Sequence, residues 1–305
     1  MRKLLFTLFA IAFFTPLKAT EPLGFTLQQT ASIASTFYSE SPLYTVYGLS
    51  AEWREPFYSI DSLAQSRRCC DFLRTRFSSL FSPHFIEVKG AFFISPLAPL
   101  ELGGFFGAQV FPTSNSGLKI DSLPSIWNEG TFNRRTWDFD KGIDFFQVAA
   151  FVLSLRGELG RLYLEATWTT TALDVNTGEG SGVYYYGWDL PVQHGDNVVS
   201  WELIAEYAFG TVPREEAWKL GSHLSLVGAG DGSQLFFDPR PASSDVAQLR
   251  NALWLDIPLS KRWRARTTAY YNVHSQGGGT GKLSERLGYA LQLSWRWHYR
   301  NYSLR

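Results

Sequence analysis

The chain is poor in the residues that build disulfide scaffolds, metal centres or helical membrane spans. It has only 2 cysteines, and they are neighbours, Cys69 and Cys70. Adjacent cysteines give neither a disulfide framework nor metal-ligand spacing. They read as two small buried thiols or one exposed, reactive thiol, and neither a metal nor a cofactor is expected. Charged residues are only 18% of the chain, and Lys plus Arg equal Asp plus Glu at 28 each. That balance excludes the uniform basic surface that nucleic-acid binding needs. Long apolar runs are missing too. The strongest, Leu4 to Phe14 and Phe145 to Leu155, fall far short of the roughly 20 residues that cross a bilayer as a helix. If such a chain spans a membrane it does so by strands, because only helices and closed barrels satisfy every backbone N–H and C=O in hydrocarbon.

Aromatic residues, by contrast, are plentiful: 24 Phe, 14 Tyr and 11 Trp make up 16% of 305 residues. The chain opens on basic Arg2 and Lys3, an apolar run to Phe14, the breaker Pro16 and small Ala19. This is the form of an export leader, with cleavage after Ala19 and a mature chain beginning near Thr20. Past it the dominant pattern alternates with period two. Trp218, Leu220, Ser222, Leu224 and Leu226 oppose Lys219, Gly221, His223 and Ser225. Trp263, Ala265, Thr267, Ala269, Tyr271 and Val273 oppose Arg264, Arg266, Thr268, Tyr270, Asn272 and His274. The last segment is the clearest, with Leu287, Tyr289, Leu291, Leu293, Trp295, Trp297 and Tyr299 all on one face.

Ten segments carry this pattern: 43–54, 83–95, 100–112, 144–157, 160–173, 197–210, 217–229, 246–259, 262–275 and 285–299. They are long for soluble strands but suit tilted strands that cross a membrane. The connections alternate in length, short at 96–99, 158–159, 211–216 and 260–261, long at 55–82, 113–143, 174–196, 230–245 and 276–284. The expected fold is therefore all-β, an antiparallel transmembrane β-barrel of about 10 strands with short periplasmic turns and long external loops. Residues 1–19 would be the signal peptide, 20–42 a periplasmic N-terminal arm or plug, and 43–305 the barrel. Twelve strands is the alternative, with Phe25 to Ser35 joining the wall. Val183 to Leu190 reads as the tip of an external hairpin, and Trp53, Phe111, Trp168, Trp201, Trp218, Trp263 and Trp297 as interfacial girdles.

On this pattern the chain resembles a bacterial outer-membrane β-barrel protein of the porin-like class. Arg286, Gly288, Leu291 and Leu293 resemble the polar-x-Gly-x-x-hydrophobic-x-hydrophobic signal that the barrel-assembly machinery reads in a last strand, although the chain continues beyond Tyr299 to Arg305. The resemblance implies the outer membrane of a Gram-negative bacterium, with membrane lipid, lipopolysaccharide and that machinery as partners.

If the apolar faces meet lipid, the opposite faces line a lumen. There the early strands contribute Glu52, Glu87, Glu101, Glu165, Glu202 and Glu206, and the last four Lys219, Arg250, Arg264, Arg266, Arg286 and Arg296. Opposed acidic and basic walls are expected to pair across a narrow interior, leaving it closed or letting a thin passage carry small polar solutes. His223 and Ser225 with Glu206 or Glu202 have the composition of a serine hydrolase site, but face the lumen, away from a lipid substrate. His194, Asp196, Asp138 and Asp140 fall in external loops, as a surface protease resembling the omptins would need. Glycines 178–182 and 277–281 read as loop tips, since the strand-then-helix context of a phosphate loop is missing. Asp61 to Phe81 reads as a basic amphipathic helix at the rim, with Arg67, Arg68, Arg74 and Arg76 beside an apolar face. The function expected is passage of small polar solutes or surface structure. The alternatives are a surface-exposed lipid hydrolase, an omptin-like protease, or an adhesin.

Overall fold

A computed structural model describes residues 24–36, 44–56, 72–82, 85–97, 99–110, 145–175, 182–185, 190–193, 197–210, 212, 216–230, 246–276 and 281–299. Fourteen strands form in chain order: β1 Gly24–Thr36, β2 Tyr44–Pro56, β3 Phe72–Phe81, β4 Ile86–Leu97, β5 Leu100–Val110, β6 Phe145–Leu159 and β7 Leu162–Val175, then the short pair β8 Gly182–Tyr185 and β9 Leu190–Gln193, then β10 Asn197–Phe209, β11 Trp218–Gly230, β12 Val246–Pro258, β13 Trp263–Gln276 and β14 Gly281–Tyr299. All except β8 and β9 pair antiparallel with their neighbours, and β1 lies between β2 and β14, so twelve strands close into one barrel. Closure leaves no unpaired edge, the condition for a sheet to stand in lipid.

The barrel thus has the twelve-strand alternative's count. One added strand is β1, which pairs along its length with β14 and β2, so Gly24–Thr36 is wall and not a periplasmic arm or plug. The other is β3, which lies in the segment expected to be a rim helix. Its run FLRTRFSSLF also fits period two, with Phe72, Arg74, Arg76, Ser78 and Leu80 on one face. Period two prevails because those positions match the inward residues of β2 and β4, pairing Arg76 with Glu52 and Ser78 with Lys89. The connection between β2 and β3 leaves at Pro56 and returns opposite it at Phe72. It therefore shares an end with both outer termini of the wall, Gly24 and Tyr299, and with the turns at 98–99, 160–161 and 259–262. This corrects the expectation that the 55–82 loop is external. Gly160 closes its turn at φ +63°, a conformation that glycine adopts without steric cost. The longer gaps at 111–144, 176–196 and 231–245 fall at the opposite end.

The pleat sorts the side chains. Large apolar residues alternate outward and stay exposed, among them Phe106 at 60%, Leu253 at 58% and Leu291 at 55%, an apolar belt of the kind lipid covers. At the short-turn end Phe25 packs at a tilt against Trp53 and edge-on against Trp297, with ring centroids 6.3 and 6.1 Å apart, and Trp218 and Trp263 are exposed on the same rim. Trp168 and Trp201 depart from the girdle expectation: they sit in mid-strand, packed on each other with Phe151 against Trp168. The described residues of Val183 to Leu190 stay out of the wall, since β8 and β9 form a separate two-stranded sheet.

Candidate functional site

Polar and charged side chains occupy the inward set of positions. Strand pairing aligns Glu202 with Ser225, Ser225 with Arg250 and Arg250 with Asn272. It likewise aligns Lys219 with Asp256 and Asp256 with Arg266. Glu87 and Glu101 are buried within the lumen, at 5% and 2% exposure. Arg286 takes the inward register position opposite Asn272, and its side chain lies outside the described ones.

The acids and bases meet mostly along the wall, within one strand or between strands one or two places apart, while Arg266 on β13 also reaches Glu206 on β10 at 4.0 Å, a late base paired with an early acid as the sequence suggested. One network binds the early strands. Arg54 Nε donates to Glu52 Oε1 at 2.6 Å, and Arg74 lies 3.6 Å from the other oxygen of Glu52 and also donates to Glu101. Arg156 Nη2 reaches the second oxygen of Glu101 at 2.6 Å. Arg54, Arg74 and Arg156 were missed as lumenal residues, although Arg54 and Arg156 share parity with inward neighbours and were legible on that ground. Their presence means the early wall is not acidic. A second network binds the late strands: Arg264 Nε and Arg266 Nη2 hold the two oxygens of Asp256 at 2.8 and 2.9 Å, and Lys219 Nζ holds Glu206 at 3.2 Å. Smaller contacts complete the lining. Lys89 pairs with Glu87 at 2.9 Å, Tyr163 donates to Glu165 at 2.6 Å, and Arg250 donates to Asn272 at 3.2 Å. Guanidiniums dominate, and their fixed forks suit carboxylates held in one orientation.

Glycines seat the side chains that carry these networks. Gly221 faces Trp254 across β11 and β12, and a Cβ there would overlap the indole. The ring lies over the glycine, and the Arg266 guanidinium sits 5.3 Å from its centroid. Gly103 does the same for Phe93, over which Arg74 stands at 4.2 Å. Each site places a cation over the negative face of a ring with the ring filling the space above a glycine.

The hydrolase candidates are not assembled into a relay. His223 Nε2 lies 3.1 Å from Glu202 Oε2, while Glu206 is engaged by Lys219. Among the described residues no hydrogen bond joins Ser225 to His223, and Ser225 is buried at 4% exposure. Two residues apart on one strand, Ser225 and His223 stand roughly 7 Å apart along the wall. Among the described residues no group of three His, Cys, Asp or Glu stands where it could hold a metal. Cys69, Cys70, His194, Asp196, Asp138, Asp140, Arg67 and Arg68 lie outside the described residues.

Two openings in the barrel differ in character. On the outer face, Phe77, Phe92, Phe106 and Phe151 border a groove of about 1020 Å³ with Gly90 and Gly104 in its floor. It is apolar and faces the belt. The lumen is polar, and its lining is closely packed at the long-loop end. There Thr171, Val198 and Val227 are 0 to 2% exposed, and β9 lies against β11 and β12.

An outward apolar belt around an inward polar lining defines a closed barrel of the transmembrane type. No family model matches the chain, and no curated protein matches its sequence. Solved structures that resemble it include the NanC porin, at 8% identity over 88% of this chain and 98% of that one with a TM-score of 0.41. They also include OmpT of Vibrio cholerae, at 8% identity over 92% and 100% with a TM-score of 0.42, and LpxR from Salmonella typhimurium, at 9% over 88% and 99% with a TM-score of 0.38. These likenesses carry no function to this chain, and its fold rests on its own closed ladder.

Proposed function

We propose that this protein is an outer-membrane β-barrel that gives small polar solutes a narrow, hydrated passage. The observation that carries the reading is solvent reaching the charged lumen. The Arg266 side chain is 37% exposed and the Glu202 side chain 29%, although both lie on the inward set of positions. In a sealed, salt-bridged interior such groups would be dry, since an ionised group without water costs several kcal/mol unless fully paired. We take the end that carries the gaps 111–144, 176–196 and 231–245 to face outside the cell and the end that carries the turns at 98–99, 160–161 and 259–262 to face the periplasm, with the β8–β9 hairpin at the outer mouth. In the closing strand, Gly288 faces inward while Leu291 and Leu293 face outward, the arrangement the assembly machinery would meet.

Reconstitution into planar bilayers tests the proposal. The purified protein should give discrete conductance steps of small amplitude, because twelve strands enclose less space than the 16–18 of the large porins. An electrically silent protein that is folded and inserted would overturn passage and leave surface structure as its role. Cleavage of lipid or peptide substrates by the same silent sample would assign it to the enzymes instead.

A further inference from the structure

Six basic side chains near the short-turn end of the lumen each have a carboxylate within ion-pair distance: Arg54, Arg74, Arg156, Lys219, Arg264 and Arg266. Two others do not. Arg76 on β3 and Arg296 on β14 have no carboxylate within 4 Å among the described residues, and both are exposed to the lumen. Arg296 donates through Nη2 to Gln28 Oε1 at 3.2 Å, which leaves most of its fork open. Only β1 and β2 separate these strands in the wall. Arg76 also feels the positive charges of Arg74 and Arg296, and Arg296 those of Arg264 and Arg266. Glu52 attracts both, and Asp256 also attracts Arg296, but the oxygens of Glu52 are already held by Arg54 and Arg74 and those of Asp256 by Arg264 and Arg266. The wall therefore concentrates positive potential where it has supplied no anion of its own.

We propose that Arg76 and Arg296, with Gln28 beside Arg296, form a binding site for small organic carboxylates in the lumen. A guanidinium stays charged at every physiological pH and presents paired N–H donors that match the two oxygens of a carboxylate. Two forks with water access offer a dicarboxylate or tricarboxylate one contact for each end. The low-dielectric wall focuses their field along the passage and raises the local concentration of anions. Glu202 and Glu87 stand elsewhere on the lining, each with a cation or histidine of its own, so they do not cancel this patch.

The inference deepens the passage reading, and its transport arm rests on that reading, so two independent measurements are needed. The variant is Arg76→Gln with Arg296→Gln, which keeps polar side chains and removes no ion pair, so it should retain the heat-modifiable migration of the parent. In bilayers under a potassium chloride gradient, the parent should favour chloride over potassium, and the variant's permeability ratio should fall to near one or below it. In detergent, calorimetric titration with citrate should show binding to the parent that weakens as salt rises, and binding at least about tenfold weaker to the variant, as loss of two charge-assisted contacts requires. Citrate binding without conductance would remove the passage and keep the site. A conducting parent that favours potassium, or a variant that binds citrate as the parent does, would overturn the site.

Discussion

Glu101 concentrates the electrostatics of the early strands in one side chain. It is 2% exposed and accepts from Arg74 with one oxygen and from Arg156 with the other. Its neutralisation by Glu101→Gln keeps the shape but leaves two guanidiniums facing each other without their shared anion. Breaking a buried pair in this way costs about 3–5 kcal/mol. The expected result is a clear fall in the denaturant midpoint of the refolded barrel, with earlier loss of its compact gel band on heating. A midpoint within about 0.5 kcal/mol of the parent, the range of ordinary surface substitutions, would mean that water, not Glu101, solvates the two arginines. The same logic applies to loss of Arg264 and Arg266: Asp256 on the adjacent strand loses partners at 2.8 and 2.9 Å, and Glu206 loses a contact at 4.0 Å while keeping Lys219.

Among the strands, the lipid-facing set can be tested apart from the lumen. Leu253 lies in the middle of β12, points outward and is 58% exposed. An arginine at such a position costs about 2–4 kcal/mol at the bilayer midplane and far less near the interfaces. Leu253→Arg should therefore destabilise the barrel in vesicles by that amount, whereas Leu259→Arg, in the exposed turn after β12, should be close to neutral. Equal effects at the two sites would mean that the apolar face does not meet hydrocarbon. This alternation is what made most of the wall legible from sequence: in β11, β13 and β14 apolar residues hold most of every second position, so both the strand and its register follow. The pattern weakens where a strand is short or small-residue-rich. In β3 arginines alternate with Leu73, Thr75, Phe77 and Ser79, and a ten-residue run with a basic face and an apolar face fits a helix nearly as well. In β1 the inward face is Thr26, Gln28, Thr30 and Ser32, and the outward one includes Gln29, so little contrast marks it as wall. The site inherits both gaps. Arg296 was legible as a lumenal charge from the clear pattern of β14, but Arg76 sits on the strand read as a helix and Gln28 on the one read as an arm. The ion-pair partners depended on which strands are neighbours, and that follows from closure, which no single segment encodes.

For the whole molecule, closure depends on β1, which joins the last strand to the second. It pairs from Phe25 with Tyr299 to Thr36 with Gly288 on one side, and from Gly24 with Arg54 to Ala34 with Tyr44 on the other. Deleting residues 24–36 would strip partners from both β14 and β2, and each backbone group left unsatisfied in hydrocarbon costs several kcal/mol. Direct pairing of β2 with β14 cannot repair the loss, because both run from the long-loop end to the short-turn end, so an antiparallel ladder would have to become parallel at the seam. The deletion variant, refolded in detergent from the denatured state, should fail to form the compact band that shifts on boiling, and should show protease-sensitive strands throughout. If residues 24–36 were a dispensable arm lying in or below the lumen, the same variant would fold, keep its shift on boiling and conduct more freely than the parent. Gel migration with and without boiling, read beside conductance of the same preparation, separates a seam strand from a plug.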